Sequence, residues 1–251
     1  MTAHVLIVTF DSAEPQLVRQ WARQGLLPSL NQLLSDGDFR DVENFPGFGN
    51  GVFWPSIYTG TDPSFHGGYY LRQPKPPGYA LEPFGKYDYV VPPFWKRLEE
   101  QGLNVAVIDP VESPIAGLKK GVEVFDWQVH RRDGAPLSNP GDIVQQILAR
   151  HGDDPFEGNI DRTVTVSIAP ESLSEVSEQR IRNKTHAAVE LLRQREWDLF
   201  MVSFADPHDI GHMAWHLHDV DDAGISDAGT IEPDSEDPLL SCYRRLDAAL
   251  G

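Results

Sequence analysis

Two nearly uninterrupted apolar runs, Val5-Leu-Ile-Val-Thr-Phe10 and Leu199-Phe-Met-Val-Ser-Phe204, restrict the possible folds of this chain most strongly. Each has strand length, is rich in β-branched or aromatic residues, and lacks polar-apolar alternation, so each must be covered on both faces. That demands a sheet with helices on two sides. The intervening segments supply them. Asp11-Ser-Ala-Glu-Pro15 reads as a helix start, with a capping oxygen, an early Glu and a first-turn Pro, and Leu17, Val18, Trp21 and Ala22 follow at helical spacing. A short helix over 26–35 ends at Asp36-Gly37. Further helices are expected over 93–101, 140–150, 171–195 and 238–250, and strands over 104–109, 122–127 and 197–205. The alternation predicts an α/β fold of three layers, α/β/α, with a mainly parallel sheet and right-handed crossovers. In such sheets functional groups gather beyond the carboxyl ends of the strands, where Asp11 and His208 both fall.

The second apolar run leads into Ala205-Asp-Pro-His-Asp-Ile-Gly-His-Met-Ala-Trp-His216. Residues four apart on a helix are surface neighbours, so His208 and His212 can reach one metal ion at roughly 2.0–2.1 Å per Zn–N bond. His216 and His218 follow, and are read as ordinary polar residues in preference to supporting groups.

The chain has 251 residues, enough for one large α/β domain or two small ones. A single cysteine, Cys242, cannot form an internal disulfide. No apolar run approaches the roughly 18–20 residues that a membrane span needs. Val5–Phe10 is too short for the core of a secretory leader and has no basic segment before it, so a cytoplasmic location is expected, with no membrane partner. A formal net charge of −17 argues against a nucleic-acid polymer as partner. A small phosphate ester remains compatible, because a bound divalent cation inverts the local field. Much of the acid is concentrated between Asp219 and Asp237, a stretch expected to be an exposed loop. Between about 68 and 93 the density of proline and tyrosine predicts an irregular insertion.

A third segment adds a pattern of type Trp-x-Ser-x-x-Thr-Gly-x-x-Pro-x-x-His-Gly, at Trp54, Ser56, Thr59, Gly60, Pro63, His66 and Gly67. Taken with the strand ending in Asp11, the following "LPSLNQLLSDG" and the strand leading to His208 and His212, the chain resembles the alkaline-phosphatase superfamily. Within it, the likeness is to the type I phosphodiesterase and nucleotide pyrophosphatase branch. The resemblance implies a metal-dependent hydrolase of phosphate mono- or diesters, working through two divalent ions, zinc or alternatively manganese, on a small phosphate-ester substrate. It makes Asp11 a metal ligand, against the plainer reading that Asp11 caps the helix after it. It puts His208 where the family commonly has Asp, followed by His212 at i+4. It gives His66 a structural role. The nucleophile position, nine residues before the Thr-Gly, is occupied by Asn50, which has no hydroxyl to deprotonate. Three readings follow: Asn50 binds metal or phosphate oxygen while an activated water attacks, the protein is a non-catalytic metal- or ligand-binding homologue, or it is a sulfatase-like hydrolase, for which Asn50 gives no support.

The family completes its metal sites with a Ser-Asp-His-Gly motif and a distal His, neither of which follows the helix expected over 238–250. The chain therefore reads as the N-terminal part, residues 1–251, of a single alkaline-phosphatase-like domain, incomplete at its C-terminal side. On that basis Leu199, Phe200, Val202, Leu239, Leu246 and Leu250 are expected to form an uncovered apolar patch that makes the chain poorly soluble and inactive alone.

Overall fold

The computed structural model describes residues 4–48, 51–75, 77–130, 134–156, 170–215 and 237–251. Asn50, His216, His218 and all of the acidic stretch but Asp237 lie outside them.

The main sheet contains β1 (Val5–Phe10), β4 (Val105–Ile108), β5 (Val122–Phe125), β6 (Leu137–Asn139) and β7 (Leu199–Phe204), in the order β1-β7-β4-β5-β6. All neighbours are parallel except β6, which runs antiparallel to β5. The helices are α1 (Pro15–Arg23), α2 (Pro28–Asp36), α3 (Phe53–Thr59), α4 (Pro63–His66), α5 (Phe94–Glu100), α6 (Gly141–His151), α7 (Pro170–Leu192), α8 (Asp206–Ala214) and α9 (Pro238–Leu250). The 68–93 segment carries a small antiparallel pair, β2 (Arg72–Pro74) and β3 (Leu81–Pro83), in otherwise irregular backbone.

β7 shows why an unbroken apolar run was required. Phe200, Val202 and Phe204 enter a core with Ala106, Ile108, Val124, Trp21, Ile181 and Leu246, on the face covered by α1, α2, α6, α7, α8 and α9. Leu199 and Met201 enter the other core with Val105, Val107, Tyr58 and Trp95, beneath α3 and α5. Successive strand side chains point to opposite faces, so both parities must be apolar.

The expected apolar patch is not present. β7 lies between β1 and β4, and Leu199, Phe200, Val202, Leu239 and Leu246 are buried, while Leu250 is half-buried. α9 finds its partners inside the described chain. Its Asp247 carboxylate accepts the N–H groups of Ser29 and Leu30 at 3.1 and 2.7 Å, capping α2, and the Tyr243 hydroxyl accepts the Glu14 N–H at 2.8 Å. Among the described residues the sheet has two edges, β6 and β1, and at β1 Val5 is 48% and Leu6 60% exposed.

Two buried carboxylates tie down the second core. Glu123 accepts from Trp95 Nε1 and from the Ala116 and Leu118 N–H groups, all at 3.0–3.1 Å. Glu99 accepts the N–H groups of Lys119, Lys120 and Gly121 at 2.7–2.9 Å. Burial favours its neutral form, but these three donors and the Lys96 ammonium hold its carboxyl down to about 2.

Candidate metal centre

β1 and β7 are paired through Phe10↔Phe204, so the residues after each strand emerge side by side. The Asp11 N–H still donates to Phe204 O at 2.9 Å. Glu14, not Asp11 or Ser12, caps α1, its side chain accepting from Gln16 N at 3.1 Å. Asp11 is thereby left to the site. Its Oδ1 accepts Trp54 Nε1 at 3.0 Å from α3, and its Oδ2 lies 2.7 Å from Nδ1 of His208, in the first turn of α8. His208 Nε2 faces His212 Nε2 at 2.9 Å. Two nitrogens on one tetrahedral zinc stand about 3.3 Å apart, so this pair needs little adjustment to share an ion. The structure thus brings Asp11, His208 and His212 together.

It adds a residue that the sequence reading did not single out. The His130 ring stacks on that of His208 at 3.7 Å between centroids and 12° between planes. One nitrogen from each of His130, His208 and His212 falls within 4.8 Å of the other two. His130 Nδ1 lies 2.6 Å from Asp209 Oδ1, so two of the three imidazoles have their Nδ1 against a carboxylate. Carboxylate partners orient a metal-ligating histidine and raise its basicity. The nitrogen-rich donor set fits a divalent cation that prefers imidazole. His130 follows β5, so the rule that sites form past carboxyl strand ends was the signal for it.

Behind the rings, α7 contributes two buried cations. Arg180 pairs with Asp209, holds Asp154 at 3.0 Å from Nε, and approaches Asp206 at 3.9 Å. Burial alone raises a carboxyl; the charges of Arg180 and His130 bring Asp209 below its ordinary value. Asp206, more weakly paired, is pushed up to about 6 by burial, against the pull of Arg180 and Lys184. Burial disfavours the His208 cation, yet the hydrogen bond and charge of Asp11 move its pKa upward overall. One turn on from Arg180, Lys184 Nζ lies 2.9 Å from Asp109 Oδ2 and donates to Gln128 O and Ser203 O at 2.6 and 2.8 Å. Asp109 in turn accepts the Trp127 and Gln128 N–H groups at 3.0 and 2.8 Å. These links join the ends of β4, β5 and β7.

Ser12 (φ 54°), Asp109 (φ 51°), Glu112 (φ 45°) and Asp126 (φ 59°) take left-handed backbone just past β1, β4 and β5. Each such conformation costs about 1–3 kcal/mol for a non-glycine residue, and such strain concentrates at functional sites. Ser12, Glu112 and Asp126 line an open cavity of about 790 Å³ together with Asp11, Trp54, His130, His208 and His212, while Asp109 is buried. The 68–93 segment forms part of its wall through Tyr70, Phe84, Lys86 and Tyr89, and Lys86 Nζ pairs with Asp126 Oδ2 at 2.7 Å.

The hydroxyls of Ser56 and Thr59, which follow Asn50 in the sequence, are engaged elsewhere. Ser56 Oγ donates to Val52 O at 2.7 Å and meets His66 Nε2 at 3.0 Å, and Thr59 Oγ1 donates to Pro55 O at 2.7 Å. His66 is buried, its Nδ1 accepts the Gly68 N–H at 3.1 Å, and burial lowers its pKa, so it is a neutral structural group.

A family model for type I phosphodiesterase / nucleotide pyrophosphatase matches residues 5–251. The chain belongs to this family. No curated protein sequence matches this phosphodiesterase-family chain. Among solved structures it is similar to phosphonoacetate hydrolase from Sinorhizobium meliloti 1021, in complex with phosphonoformate (TM-score 0.53) and with phosphonoacetate (TM-score 0.54). Both share 18% identity over 99% of this chain and 52% of the neighbour, a likeness of fold. The family chain thus spans about half the length of these neighbours. Among its described residues no helix is long and apolar enough to cross a membrane.

Proposed function

We propose that this chain is the N-terminal part of a metal-dependent phosphoester hydrolase domain acting on a small phosphate mono- or diester, with Asp11, His208 and His212 serving a divalent metal, zinc or alternatively manganese. The observation that carries the reading is the convergence of these three residues at the ends of two adjacent parallel strands, inside the 790 Å³ cavity. A second metal ion, the cytoplasmic location and the absence of a nucleic-acid polymer as partner belong to the same reading. When bound, the metal supplies Lewis acidity toward a phosphoryl oxygen and lowers the pKa of water. The chain's own residues prepare the site. Asp11 orients the His208 ring and is itself fixed by Trp54. Lys86 and Asp126 form a neutral ion pair in the cavity wall, at 2.7 Å.

Asn50 favours a second reading, a homologue that binds metal and ligand without turnover. Hydrolysis of bis(p-nitrophenyl) phosphate, with zinc or manganese added and with chelator, separates the two. Chelator-sensitive turnover is the expected result. Metal binding without turnover supports the second reading, and turnover indifferent to chelator refutes the metal-dependent one.

A further inference from the structure

We infer that His130 is a third imidazole ligand of this metal centre, held in place by Asp209 and, through it, by Arg180. The inference rests on the metal reading above and extends it to residues that reading did not use. His130 arrives from a different strand than His208 and His212, yet its ring lies against His208 and one of its nitrogens falls within 4.8 Å of theirs. Its side chain is 15% exposed. Nδ1 is committed to Asp209 at 2.6 Å, which leaves Nε2 as the ligating nitrogen. The two ring planes are only 12° apart, so one ring turns about its Cβ–Cγ bond for both nitrogens to meet one ion.

The partner is itself held. Asp209 is fully buried, and its other oxygen is paired with Arg180, a buried guanidinium that also holds Asp154 and lies 4.7 Å over the Phe156 ring. A buried ion pair of this kind is weak evidence of net stabilisation, since desolvation offsets much of the attraction. Here its geometric effect is specific: it fixes the direction of one carboxylate oxygen, and that oxygen fixes one imidazole. Asp11 does the same for His208 from β1. The centre is thus built from three imidazoles, two of them oriented by carboxylates. Asp209 and Arg180 are positioning residues, with no contact to the ion.

The test uses the metal alone. Titrating the purified protein with Co²⁺, followed by its visible absorption and by competition with a chelator, reads affinity and coordination together. His130→Phe keeps a ring against His208 and removes the nitrogen, and it should weaken Co²⁺ binding at least about 10-fold and change the band intensities. Asp209→Asn should weaken binding by about 10- to 100-fold, as partners behind a ligating histidine do. Wild-type affinity and spectrum in His130→Phe, with binding lost in His212→Ala, overturn the inference and leave the proposed function standing. Unchanged binding in Asp209→Asn overturns the positioning role. A wild-type protein that gives no Co²⁺ spectrum at all overturns both readings.

Discussion

Asp11 Oδ2 and His208 Nδ1 are 2.7 Å apart although 197 residues separate them in the chain. The pairing of Phe10 with Phe204 makes this contact, because it aligns the ends of β1 and β7. Asp11→Asn keeps an acceptor for Trp54 but loses the charge that orients His208. Zinc affinity, read by calorimetry, is expected to fall by about 10- to 100-fold. His212→Ala should lose zinc outright in metal analysis, and full zinc content there would exclude His212 as a ligand.

Restoring a hydroxyl at the nucleophile position tests the family machinery directly. Asn50→Thr should create or raise ester hydrolysis. In the unaltered protein no covalent phosphoenzyme should be trapped, and phosphate recovered on Ser56 or Thr59, whose hydroxyls bond backbone carbonyls, would show that the nucleophile position is not Asn50.

Lys184 and Asp109 form a buried pair behind the site. Lys184→Met leaves a buried carboxylate uncompensated and should cost about 3–5 kcal/mol in urea unfolding. Adding Asp109→Asn should recover a substantial part of that loss, since the stranded charge is gone. Strictly additive losses would show that the two residues do not act as a pair.

Glu99 gives a pH signature. Its carboxyl is held at about 2 in the folded chain against an ordinary 4.5, so the unfolded state binds the extra proton first. The stabilisation is complete above about pH 4.5 and is lost as pH falls toward 2. Glu99→Gln should be less stable by about 1–3 kcal/mol near pH 7 and should converge on the parent in acid. An equal gap at pH 7 and pH 2.5 would remove Glu99 as the cause.

The edge of β1, which has no strand partner among the described residues and leaves Leu6 exposed, should be a site of self-association. Leu6→Lys is expected to reduce light scattering in concentrated solution, whereas Leu250→Lys, on α9, should not.

The main strands and the long helices were legible because burial on two faces leaves an unmistakable apolar run, and amphipathic helices leave a 3.6-residue period. β6, three residues long, and α4, four residues long, carry no period to read. The His208/His212 pair was visible because its partners are local. His130, Arg180 and Lys184 were not, because their significance lies in Asp209 and Asp109, which are distant in sequence. The apolar patch was misplaced because strand order is not written in the strands themselves: β7 proved central and β1 peripheral.

The position of β1 also sets a schedule for synthesis. His4, at its start, bonds to Trp197 at 2.7 Å across 193 residues, and every ladder partner of β1 belongs to β7. At a typical rate of about 5–20 residues per second, β1 therefore waits roughly 10–40 s on the ribosome before the neighbour it has among the described residues exists. Throughout that interval an apolar segment is made without the strand that pairs it among the described residues, the kind of exposure that chaperones guard against during synthesis.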